Sequence, residues 1–74
     1  MNVTVTVYLK NGMNASTDIQ NTSLAEQQEL YSEAFKKKKD IQLINHVCPS
    51  SIEMIPVSNV ALIQIKEMVK EDGE

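Results

Sequence analysis

The chain has 74 residues, 42% hydrophobic and 23% charged, with ten acidic side chains against seven basic ones and a single cysteine. That length builds one core and no more. The balance excludes a wholly disordered chain, the lack of any apolar run near 18 residues excludes a spanning helix, and one cysteine excludes an intramolecular disulfide.

All seven basic residues are lysines. Bidentate contacts to phosphate and guanine are made best by arginine, so sequence-specific nucleic-acid binding is not expected. The net charge of −3 comes from residues 41–74, because residues 1–21 and 22–40 each cancel. The N-terminus has no basic stretch and reads as a strand rather than a leader, and a reducing, cytoplasmic setting follows. A core of this size supplies only about 3–5 kcal/mol, so a homo-oligomer is expected.

Residues 3–9 alternate, with Val3, Val5, Val7 and Leu9 on one side and Thr4, Thr6 and Tyr8 on the other. This is a half-buried strand. Asn11-Gly12 marks a hairpin, and the second strand runs from Met13 to Gln20. A two-residue loop would set Asn14 and Ser16 opposite the apolar stripe. A three-residue loop, Lys10 to Gly12, pairs Leu9 with Met13, Val7 with Ala15 and Val3 with Ile19. The pattern therefore predicts a type I turn with Gly12 left-handed in a G1 bulge.

Ser23 and Glu26 form a capping-box pattern that opens a helix. At 100° per residue, Leu24, Leu30, Tyr31, Ala34 and Phe35 fall on one stripe, which predicts the buried face. Glu33 and Lys37 are an i,i+4 pair, and the helix should stop near Lys39. A third strand is predicted from Asp40 to Val47, a turn at 48–51, a fourth strand from Ile52 to Val57 with Pro56 confining it to an edge, and a fifth from Val60 to Lys66. The fold class is α+β: a small five-stranded antiparallel sheet or partly open barrel, order β-β-α-β-β-β, with one helix on one face. The domain covers 1–67, followed by a charged tail over 68–74. One helix hides only one sheet face, so Ile44, Ile55, Val57, Val60 and Leu62 are candidates for an interface between copies.

The segment Val3-Thr4-Val5-Thr6-Val7-Tyr8-Leu9-Lys10-Asn11-Gly12 resembles the first strand pair of Sm-like small β-barrels. The stretch from Ile55 to Ile65 is similar to the close of that fold. The resemblance implies a small barrel, ring assembly and RNA binding. The basic residue and glycine that Sm-like proteins turn to RNA have no counterpart here, and the helix falls after the second strand rather than before the first. In size and layout the chain also resembles short proteins of phages and mobile elements of Gram-positive bacteria, a set that includes inhibitors of host proteins and sponges for signalling nucleotides.

His46 and Cys48 could share a strand face, but no oxyanion element accompanies them, and together they fall short of a zinc ligand set. Glu26, Glu29 and Glu33 suit the helix dipole. With glycine only at 12 and 73, the chain has no phosphate loop. Neither catalytic residues, nor a metal, nor a cofactor is predicted. Lys36, Lys37, Lys38 and Lys39 are the concentrated charge and could hold a small anionic ligand, with Tyr8 stacking on a base. Met13, Met54 and Met68 could form an adaptable contact surface. The expected function is a non-enzymatic binding module, of phage or mobile-element type, that inhibits a host protein through an apolar sheet face or an edge strand. The alternatives are an oligomeric nucleotide sponge and an Sm-like RNA binder.

Overall fold

The computed structural model describes residues 1–45 and 49–68. Strands β1 (Val3–Leu9) and β2 (Asn14–Ile19) form an antiparallel hairpin. Its register sets Val3 against Ile19, Val5 against Thr17 and Val7 against Ala15. The Leu9 amide donates to the Met13 carbonyl at 2.8 Å, the Gly12 amide donates to the Leu9 carbonyl at 3.0 Å, and Gly12 has φ +92°. This is the three-residue loop that the apolar phase demands.

Helix α1 (Leu24–Lys37) starts at Ser23, whose hydroxyl accepts from the Glu26 amide. Only half of the capping box forms, because the Glu26 carboxylate accepts from Thr22 Oγ1 at 3.0 Å instead of turning back to the cap. Lys38 ends the helix in the left-handed region, with Lys39 N–H donating to Ala34 and Lys38 N–H to Phe35. These two bonds are the Schellman pattern.

Strands β3 (Ile41–Asn45) and β4 (Ser51–Ile55) pair antiparallel, a 3₁₀ turn covers Val57–Asn59, and β5 (Val60–Glu67) returns to pair with β1. The five strands do not make the single sheet that was expected. They form a three-stranded sheet in the order β2-β1-β5 and a separate two-stranded β3-β4 hairpin. The break falls between β2 and β3. There the Thr17 hydroxyl donates to the Ile44 carbonyl at 2.8 Å, a side-chain link where a ladder would otherwise run. The barrel is not closed.

Val3, Val5 and Val7 turn to the core, where Ile41, Leu43 and Ile55 of the hairpin and Tyr31 of the helix meet them. Three of the expected interface residues are used here. Ile55 and Val60 are buried, and Val57 packs half-buried against them. The hairpin and the 3₁₀ turn fold back over the three-stranded sheet, which encloses side chains that one continuous sheet would have left open.

The helical stripe is also narrower than its pattern. Its middle, Gln27, Tyr31 and Ala34, faces inward, while Leu24, Leu30 and Phe35 on its margins stay exposed. Gln27 is buried because its Nε2 donates to Thr22 Oγ1 at 3.0 Å, which satisfies its polar end. Among the described residues no helix is long and apolar enough to cross a membrane. His46 and Cys48 lie outside the described residues, as does the tail beyond Met68.

Candidate functional site: an apolar groove between helix and hairpin

The sheet has two unlike faces. Partners across β1 carry the alternation into β2 and β5, so the outer face holds Asp18, Thr4 and Lys66 in one row, Ser16, Thr6 and Gln64 in the next, and Asn14, Tyr8 and Leu62 in the third. It is a polar surface, tied by the Thr4 hydroxyl donating to Asp18 at 2.9 Å. Tyr8 and Leu62 are its apolar corner. Helix α1 packs on the other face, with the valines. Within one chain, Tyr8 and the lysines at the helix end are therefore not brought to one face.

The four lysines do not converge either. Lys37 Nζ sits 3.1 Å from Glu33 Oε2, both half exposed. Lys38 serves as the left-handed helix end, and Lys36 projects from the last turn. Lys39 borders a concavity whose lining does not include the other three.

That concavity is an open groove of about 620 Å³ between α1 and β3. Leu30, Ala34, Ile41 and Ile44 supply its apolar walls, and Tyr31 borders it. Glu29, Glu33 and Asp40 lie along it, against Lys39. Its origin is geometric. The helix makes its closer approach to β5, and the groove lies on its hairpin side. Burial raises the Tyr31 hydroxyl above the usual phenol range.

The β3 wall of the groove continues across the hairpin. Ile44 faces Ile52, and Gln42 faces Met54, so these four side chains share the hairpin's outer face. Leu30 is 57% exposed, Ile44 45%, Ile52 60% and Met54 59%. Side chains of that size left in water at neighbouring positions form a surface that a monomer seldom leaves uncovered. Ile44 and Leu62 are thus the two expected interface residues that remain open, although on different sheets.

Leu30 and Ile52 are the members that sequence reasoning missed. Helical spacing places Leu30 with the core, and the short run over 52–57 gives Ile52 no face. The signal for Ile52 was its phase with Met54. Among the described residues no cluster of His, Cys, Asp and Glu could hold a metal ion. No family model matches the chain, and no curated protein or solved structure does either.

Proposed function

We propose that the chain is a non-enzymatic binding module that docks a protein partner on the apolar surface formed by α1 and the outer face of the β3–β4 hairpin. In a protein of the phage or mobile-element type, such docking serves to inhibit a host protein. The observation that supports this is the contiguous exposure of Leu30, Ile44, Ile52 and Met54 beside an open groove. Burying large apolar side chains contributes about 25 cal/mol per Å², and nothing in the fold itself uses these four.

The nucleotide and RNA readings draw less support from the geometry. An anion would enter a groove bordered by three carboxylates and one ammonium, with Lys37 already paired to Glu33 and Lys38 forming the left-handed helix end.

A photo-crosslinking residue placed at Ile52 tests the reading in a cell that holds the natural partner. One dominant heterologous adduct is expected, with none from the same residue placed at Thr6 on the polar sheet face. Equal adducts from both positions would refute it. A gain in thermal stability with a nucleotide panel, or RNA affinity falling steeply with salt, would move the assignment to the sponge or the RNA binder.

A further inference from the structure

We infer that the α1–β3 groove takes a short segment of its partner in which a large apolar side chain is flanked by Lys or Arg, and in which a carbonyl accepts from Tyr31. This rests on the reading that the surface docks a protein, and it names the chemistry of what docks.

Charge complementarity is the first ground. Glu29, Glu33 and Asp40 border the groove against Lys39 alone, so its formal charge is negative. The Lys37 partner of Glu33 is an exposed i,i+4 pair of the weakly bound kind, and a guanidinium can displace it. Carboxylates at the rim of an apolar slot select a cationic flank, and Arg meets a carboxylate with two parallel hydrogen bonds. An acidic segment, or a phosphate-bearing ligand, meets like charge.

The second ground is independent of charge. Tyr31 is only 5% exposed, and its hydroxyl has no hydrogen-bond partner among the described residues. A buried phenol normally has one. Tyr31 borders the groove, so an acceptor brought in by an extended or turning segment is what it lacks. Leu30, Ala34 and Ile44 then take the apolar side chain between them.

The test is selection of a displayed random peptide library on the full chain. It is followed by fluorescence anisotropy of the synthesised consensus peptide at two salt concentrations. Enriched peptides are expected to combine an aromatic or aliphatic residue with adjacent Lys or Arg. Leu30→Asp should weaken binding at least tenfold. Combined Glu29→Lys and Asp40→Lys should weaken it about tenfold and remove most of its salt dependence. Tyr31→Phe should weaken it several-fold with an unchanged circular dichroism spectrum. Neutral or acidic peptides that still lose affinity with Leu30→Asp would overturn the cationic segment and leave protein docking in place. Peptides indifferent to Leu30→Asp, or no enrichment at all, would overturn both.

Discussion

Three of the described residues carry positive φ: Gly12 at +92°, Asn21 at 57° and Lys38 at 55°. Glycine and asparagine occupy such backbone readily, and lysine does not. Lys38 is held there because the Schellman bonds close only if the residue after the helix turns left-handed. Lys38→Gly should therefore stabilise the fold by about 1 kcal/mol, read as a higher urea midpoint at unchanged slope. Gly12→Ala should do the opposite, by about 1–2 kcal/mol. An added Cβ there meets nothing within 4 Å, so the loss is wholly backbone strain. Tyr31 links a residue to pH. Its folded-state pKa is raised by burial, so the folded chain keeps the phenol proton after the unfolded chain has released it. The associated stability is complete below about pH 10 and declines as pH rises through the folded value. Tyr31→Phe should remove that part of the alkaline loss in melts between pH 9 and 11, and should not destabilise the fold at pH 7, because the hydroxyl it deletes makes no bond within the described residues.

The two sheets communicate through Thr17, whose hydroxyl reaches the Ile44 carbonyl where β2 and β3 part. Thr17→Val keeps the shape and removes that bond, and should destabilise by about 1 kcal/mol in chemical denaturation. No loss at all would mean that apolar packing alone holds the hairpin against the sheet. This junction also marks where sequence reasoning reaches its limit. The first hairpin was legible to the register, because only one loop length puts Val3, Val5 and Val7 in phase with Ile19, Thr17 and Ala15. The helix was legible through Ser23 at one end and the lysine run at the other. Whether β3 continues the ladder of β2 is decided by how an intervening helix routes the chain, and alternation along a strand carries no trace of that. The stripe on α1 was read from apolar residues alone, which hid Gln27 at its centre and overstated its margins, Leu30 and Phe35. The site was legible only in pieces. Ile44 and Met54 are open, as their strand phase allows, but the groove depends on how α1 sits against the sheet, and the helix spacing of Glu29 and Glu33 does not by itself place them beside Asp40 at its border.

At the scale of the molecule, the question is what covers the hairpin's outer face. A lone helix does leave large side chains in water, and Ile52 and Met54 are directly across the hairpin from Ile44 and Gln42. A chain of 8.3 kDa with that surface should associate with itself when no partner is present, since burying a few such side chains against their copies removes apolar area at both contacts. Light scattering should then give a mass above 8.3 kDa that rises with concentration. The double variant Ile52→Lys with Met54→Lys should return the mass to the single chain, by setting like charges against each other across any symmetric contact. At a concentration where the wild-type chain is single, its unfolding free energy should differ by no more than about 0.5 kcal/mol, because neither side chain belongs to the core. A wild-type mass fixed at one chain over the whole concentration range would show that copies do not use this face. It would leave the surface to a different protein, and the groove beside it, whose helix wall of Leu30, Glu29 and Glu33 the double variant leaves untouched, would still bind its peptide in either background.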